Sequence, residues 1–451
     1  MAGSWAERPL GDLAEIYDGP HATPAKTNEG PIFLGISSLV NGRVALTNPE
    51  HIAEADYVRW TRRVEPQPGD VVFSYETRIG EAARIPTDLR CCLGRRMGLL
   101  RARPGKVDDQ FLLYAYLGPQ FQETLRSRTI HGSTVDRIPL VDLPEFPLAI
   151  PTDMGEQRAI AHILGTLDDK IELNRRISET LEETARALFK SWFVDFDPVR
   201  RKAAGRDPRL PKHLADLFPS RFVDSDLGEI PEGWRASNLG REVVRCGGSI
   251  QTGPFGSQLH ASDYLPVGVP VVMPKDLIAR RVSTGSIARV GEHDAQRLAR
   301  HRLQVGDVIY SRRGDVEKHA LIGPKEVGWL CGTGCLLVRL GPRWPSPAFA
   351  SFALDRPETR AWLVQHAIGA TMPNLNTGIL AAVPLLMAGD NLLHAFARLV
   401  HPMQEQTVAL DTQCSSLMEI RDALLPKLIS GELRVKDAER FLEVTSCSST
   451  T

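Results

Sequence analysis

The sequence predicts an α+β protein built as an internal pseudo-two-fold repeat: two strand-rich domains joined by two long antiparallel coiled-coil helices. Three observations predict it. Short motifs recur in the same order about 237 residues apart. Segments rich in Gly and Pro carry short β-branched runs, the composition of strands separated by loops. Two stretches carry apolar residues at sustained seven-residue spacing, the mark of helices that pack along a seam.

The repeat rests on several anchors. Gln67-Pro68-Gly69-Asp70-Val71-Val72-Phe73-Ser74 returns as Gln304-Val305-Gly306-Asp307-Val308-Ile309-Tyr310-Ser311, an offset of 306 − 69 = 237. Gly132-Ser133-Thr134 matches Gly369-Ala370-Thr371, and Phe146-Pro147-Leu148 matches Val383-Pro384-Leu385, at the same offset. Trp5…Leu10-Gly11 matches Trp234…Leu239-Gly240 at 234 − 5 = 229, so insertions separate the anchors. Each match is weak alone, because Gly-Asp-Val turns are common; their shared order is the signal.

Residues 1–152 form the first strand-rich domain, with runs such as Val71-Val72-Phe73. The first long helix occupies 153–196, where Ile160, Leu167, Asn174, Leu181 and Leu188 fall seven apart and Ile163, Leu164, Ile171, Ile177 and Trp192 fill the same face. Asn174 at a core-type position leaves two readings open: a polar residue at a frayed seam, or a contact that fixes register. Residues 197–230 hold several prolines and charges and read as a linker with one short helix near Leu214–Phe218. The second strand-rich domain spans 231–388 and contains Val269-Pro270-Val271-Val272. The second long helix spans 389–437, with Phe396, Met403, Leu410, Leu417 and Leu424 seven apart. Pro402 inside that run predicts a kink or a split. Residues 438–451 are read as a disordered tail.

Bulk properties exclude several function classes. Hydrophobic residues make up 42% and charged residues 24% of 451, which is enough apolar material to bury substantial cores. No 18-residue apolar run occurs, and the opening Met1-Ala2-Gly3-Ser4-Trp5-Ala6-Glu7 lacks a signal pattern, so the expectation is a cytoplasmic protein. Seven scattered cysteines do not make a disulfide framework. Cys331 and Cys335 could be half of a metal site, but no second pair stands at the right spacing, so they read as buried thiols. The net charge of −1 argues against a protein that simply coats DNA, although Trp234–Met387 carries more Lys and Arg than Asp and Glu.

Catalytic constellations are missing. The chain has no phosphate-binding Gly-x-x-x-x-Gly-Lys-Ser/Thr loop, no Asn/Asp-Pro-Pro-Tyr/Phe, no Gly-x-Ser-x-Gly and no His-Glu-x-x-His. Asp315-Val316-Glu317-Lys318 has the flavour of a nuclease metal site but lacks a defined second acidic strand ligand; it reads as a solvated charged turn. No catalytic or metal site is expected, and the pattern points to a binding protein.

The whole chain resembles the specificity subunit of type I restriction–modification systems. The resemblance rests on Gly306-Asp307-Val308-Ile309-Tyr310-Ser311-Arg312-Arg313-Gly314, Thr252-Gly253-Pro254-Phe255-Gly256-Ser257, Glu156-Gln157-Arg158-Ala159-Ile160, and above all the run from Arg421 through Pro426-Lys427-Leu428-Ile429-Ser430-Gly431 to Leu433, weakly echoed by Leu188–Phe193. It implies that each strand-rich domain is a target recognition domain reading half of a bipartite DNA site, and that the chain itself binds no cofactor. The implied partners are double-stranded DNA, two modification (methyltransferase) subunits docked on the helices, and ATP-driven restriction subunits; S-adenosylmethionine, ATP and Mg belong to those subunits. A helix from about Glu156 to Trp192 spans ~55 Å at roughly 1.5 Å per residue. B-DNA advances ~34 Å per turn, so such a rod suits a fixed gap between half-sites.

Base reading needs donors and acceptors that reach groove edges. In the second domain the candidates are Gln251, Ser257, Lys275, Arg312, Arg313, Lys318, Thr371, Asn374 and Asn376. In the first they are Lys26, Tyr75, Arg78, Ser133 and Thr134, with Arg95 and Arg96 added. The first copy departs from the pattern: Tyr75-Glu76-Thr77-Arg78 replaces the Arg-Arg-Gly run, and Asp18-Gly19-Pro20-His21 replaces Gly-Pro-Phe-Gly-Ser. Two rival readings are the recognition portion of a single-chain restriction–methylation enzyme, and a coiled-coil scaffold that binds protein.

Overall fold

The chain's own turn chemistry builds the same sheet twice. In a computed structural model describing residues 4–46, 48–132, 135–369 and 371–438, the chain divides into two units, residues 1–176 with 410–451 and residues 177–409. The first contains a four-stranded antiparallel sheet in the spatial order Ala14–Asp18, Met97–Ala102, Val71–Ser74, Ala82–Arg84. The second contains its counterpart: Ser249–Thr252, Cys335–Arg339, Val308–Ser311, His319–Leu321.

The Gly-Asp motif that carries the repeat is an architectural device. Gly69 and Gly306 turn the chain at φ of +93° and +85°, a region that glycine enters without steric cost. The next residue, Asp70 or Asp307, is 3% or 2% exposed. Asp70 accepts the Gln67 amide at 2.7 Å and pairs with Arg101 at 2.7 Å. Asp307 accepts the Gln304 amide and pairs with Arg339, both at 2.9 Å. A buried carboxylate is tolerated because both its charge and its lone pairs are satisfied. The β-branched residues that follow then fill central strands.

A mixed three-stranded sheet is also duplicated: Glu50–Ile52, Lys26–Leu34 and Cys91–Leu93 in one unit, Ala288–Val290, Tyr264–Val272 and Leu330–Cys331 in the other. Its long middle strand has a register shift in both copies, between Thr27 and Ile32 and between Tyr264 and Val269. Short helices accompany the sheets, Asp109–Leu117 with Pro119–Arg128 and Pro347–Leu354 with Pro357–His366. The fold is therefore mixed helix and strand, as expected.

Two helices of 40 residues, Met154–Phe193 and Asp390–Ile429, each contribute residues to both units. Within the first unit, Ile160, Ile163, Leu164 and Leu167 share a core with Leu424, Leu428 and Ile429. Asp168 pairs with Arg421 at 2.8 Å and Asn174 donates to the Gln413 side chain at 2.7 Å, so the helices run antiparallel in this stretch. Asn174 is 1% exposed, which removes the frayed-seam reading. Within the second unit, Phe189, Trp192 and Phe193 pack on Phe396, Phe193 perpendicular to it at 5.2 Å. Leu188 and Met403 line that core and Leu417 lines the first, whereas Leu181 and Leu410 are half-buried.

The structure corrects four expectations. Pro402 does not split the second helix: a proline removes one i→i−4 hydrogen bond, and the flanking turns hold. Residues 197–230 are not a bare linker. They form helices Asp197–Ala203 and Lys212–Ala215 and a hairpin, Phe222–Ser225 with Gly228–Pro231. Phe218 stands perpendicular to Trp192 at 5.1 Å, so apolar residues tie this segment into the second core. Ala438, assigned to the tail, is buried in the first core, while 439–451 lie outside the described residues. The second helix also ends earlier than expected, at Ile429. Gly431 adopts φ +74°, the Leu433 amide returns to the Lys427 carbonyl at 3.0 Å, and a Cβ at Gly431 would meet the Trp5 ring.

Candidate nucleic-acid interface

Four loops meet at one end of the second unit's four-stranded sheet, sewn together by backbone hydrogen bonds. The Gly253 amide donates to the Cys335 carbonyl (2.9 Å), Arg312 to Gly334 (2.8 Å), Leu375 to Arg312 (2.9 Å) and Gly314 to Pro373 (3.1 Å). The first unit repeats the pattern: Gly19 to Met97 (2.9 Å), Tyr75 to Arg96 (3.2 Å), Ile138 to Tyr75 (2.9 Å) and Thr77 to Asp136 (3.4 Å). Each unit thus holds a nexus of loops whose backbones are fixed and whose side chains differ.

The second nexus is cationic and apolar. The Arg312 guanidinium lies 5.9 Å from the centre of the Phe255 ring, and its buried Nε has no hydrogen-bond partner among the described residues. Phe255 is 51% exposed. Arg313 is exposed and its backbone bridges to Asn374. Thr371 and Ser257 are exposed on the same loops. Lys318 is ion-paired with Asp315 at 2.6 Å. Three candidates are occupied by local bonds: Gln251 donates to the Arg300 carbonyl at 2.8 Å, Lys275 to the Ser286 carbonyl at 2.9 Å, and Asn376 caps the helix Thr377–Ala381 by accepting the Ile379 amide at 2.8 Å.

The first nexus is centred on a carboxylate that sequence reasoning did not single out. Asp18 accepts the Tyr75 hydroxyl at 3.0 Å, pairs with Arg63 at 3.0 Å and meets His21 at 2.7 Å. Tyr75 is only 5% exposed, and burial together with Asp18 pushes its pKa well above the ordinary phenol value, so it stays a neutral donor. Its side chain supports the loop from beneath. Arg78 is half-buried, donating to the Ile36 carbonyl at 3.1 Å and to Glu81 at 3.0 Å. Arg96 pairs with Glu76 at 2.9 Å, and Lys26 pairs with Glu50. Arg95 is exposed beside them. Ser133 and Thr134 lie outside the described residues. The Asp18 loop was visible as a departure from the repeat; Arg63 reaches it across 45 residues, a contact that spacing does not reveal.

Cys331 and Cys335 sit in adjacent buried strands, and burial pushes the Cys331 thiol up to about 12. No described helix is long and apolar enough to cross a membrane.

A family model described as the type I restriction modification DNA specificity domain matches residues 3–183. The type I restriction enzyme HindI specificity subunit of Haemophilus influenzae is 25% identical over 476 residues, covering 95% of this chain and 99% of that one. The MjaIX specificity subunit of Methanocaldococcus jannaschii is 24% identical over 448 residues, covering 96% and 94%. Among solved structures, the type I S subunit from M. genitalium shares the fold with a TM-score of 0.57 at 16% identity, covering 94% of this chain and 96% of that one. The family model matches the first copy, the second copy repeats its sheets and loop bonds, and both relatives align along nearly their full length. This chain is similar along nearly its whole length to type I restriction enzyme specificity subunits.

Proposed function

We propose that the chain reads a two-part DNA sequence, one half-site through each loop nexus, and that its long helices hold the two readers at a set separation as a coiled-coil spacer. One observation carries the reading: the same four backbone bonds organise the loops at the end of the same sheet in both units, while the side chains on them differ. A fixed backbone with variable side chains suits direct readout of groove edges. The chain's own role is binding. S-adenosylmethionine, ATP and Mg are assigned to the modification and restriction subunits that it brings to the site, with two modification subunits on the helices.

Arg312 is the residue with most at stake. A guanidinium resting on an aromatic ring, with no carboxylate partner among the described residues, is poised for bidentate contact with guanine O6 and N7. Arg312→Ala in the reconstituted methylase is expected to weaken cognate duplex binding by ~1–3 kcal/mol and to relax specificity at one position of one half-site. Unchanged affinity in the titration would remove Arg312 from the reading surface.

A further inference from the structure

We infer that the segment Arg200–Lys212 is a second, sequence-independent nucleic-acid site that takes the phosphate backbone of duplex DNA, separate from the loop nexus. The inference builds on the DNA-reading role proposed above. Arg200, Arg201, Lys202, Arg206, Arg209 and Lys212 put six cations into thirteen residues against one acid, Asp207, in a chain whose overall charge is −1. Such a concentration costs self-repulsion unless a polyanion neutralises it.

The structure leaves these charges unneutralised. Among the described residues, none of the six makes an ion pair with a carboxylate. The Asp207 carboxylate accepts the Arg209 backbone amide at 2.9 Å. Three of the six are held by main-chain carbonyls instead. Arg200 Nε donates to Asp195 at 2.8 Å, Arg201 Nε to Asp207 at 2.5 Å, and Lys202 Nζ to Ala215 at 3.1 Å. A carbonyl fixes a cation's position without cancelling its charge. Arg206, Arg209 and Lys212 are exposed.

The platform beneath is rigid. Val199 and Phe218 are fully buried, and the Arg200 guanidinium lies 5.3 Å from the Phe222 ring centre. A floppy basic tail would lose ordering entropy each time it met a phosphate; a packed one loses less. Mixed Arg and Lys without aromatic neighbours at the exposed positions fit phosphates, which are spaced regularly whatever the bases are.

The test uses the reconstituted complex with its modification subunits and two probes, a random duplex and the duplex identified by methylation mapping. In Arg206→Gln/Arg209→Gln/Lys212→Gln, the slope of log K against log[salt] should become shallower by about 0.9 for every phosphate that is no longer neutralised, on both probes alike. The ratio of cognate to random affinity should stay within about twofold, since phosphate binding carries no base information. An unchanged slope on both probes overturns the inference. So does failure to co-purify with the modification subunits, which would make the patch a protein-docking surface. Should the triple variant melt early, Arg206→Gln/Lys212→Gln carries the same measurement. A parent complex that shows no preference for the mapped duplex would defeat the base-reading proposal instead, and a salt slope that still responds to the variant would leave the phosphate site standing.

Discussion

At the scale of single residues, the two copies solve one backbone problem differently. The loop position after the central strand needs a left-handed turn in both: Gly314 at φ +75° in the second copy, Thr77 at φ +67° in the first. Glycine takes this conformation without steric cost; a β-branched residue is strained there by about 1–2 kcal/mol. Gly314→Thr should therefore destabilise the second unit by about 1–2 kcal/mol, read as a lower midpoint in urea unfolding, and an unshifted midpoint would show that the turn relaxes. Buried histidines add a second asymmetry. Burial, with Arg300 adding to it, pushes His301 down to about 4; burial likewise pushes His319 down to about 4 against the opposing pull of Asp355. Below about pH 6.5 the unfolded chain takes protons that these folded imidazoles refuse. Their contribution to stability is thus full above about pH 6.5 and is lost as pH falls from there to about 4. At the offset of 237 the first copy has Val64 and Ala82 there (301 − 237 = 64; 319 − 237 = 82), which cannot titrate. His301→Val/His319→Ala should flatten the dependence of melting temperature on pH between about 7 and about 5; an equally steep dependence would assign the effect to other groups.

At the scale of elements, what could be read from the sequence was what has a period. The heptad residues Ile160, Leu167 and Leu424 are buried where spacing puts them. The helix Asp109–Leu117 was not legible: Phe111 to Tyr116 are buried all round, so no polar face betrays a 3.6-residue repeat. Residues 197–230 misled through their prolines and charges, because Val199, Phe218 and Ile230 are too widely spaced to announce a core. The loop nexus was legible where glycines marked it, as at Gly314 and Gly369. It was hidden where Thr77 and Arg96 occupy left-handed positions that sequence patterns reserve for glycine. The helix seam itself makes a quantitative prediction. Leu424 is buried against the first helix, and Leu424→Ala should cost about 2–5 kcal/mol in the first unit, from the apolar burial removed plus the cavity left behind. A change below about 1 kcal/mol in chemical denaturation would mean that the seam contributes little.

At the scale of the whole molecule, duplication is the organising fact. The turn carboxylates Asp70 and Asp307, the bulged middle strands and the four backbone bonds of each nexus were kept through both copies, whereas the side chains facing outward from the loops diverged. Asp18 with Arg63, held from beneath by the buried Tyr75, in one nexus, and Arg312 over Phe255 in the other, present different chemistry on the same frame. Two readers of unlike chemistry should select two unlike half-sites. Mapping methylated adenines across the genome of cells carrying the intact system tests this most directly. The account predicts a motif of two different short sequences separated by a gap of constant length, with Arg312→Ala altering one of them and sparing the other. A single uninterrupted motif, or a gap that varies from site to site, would contradict it.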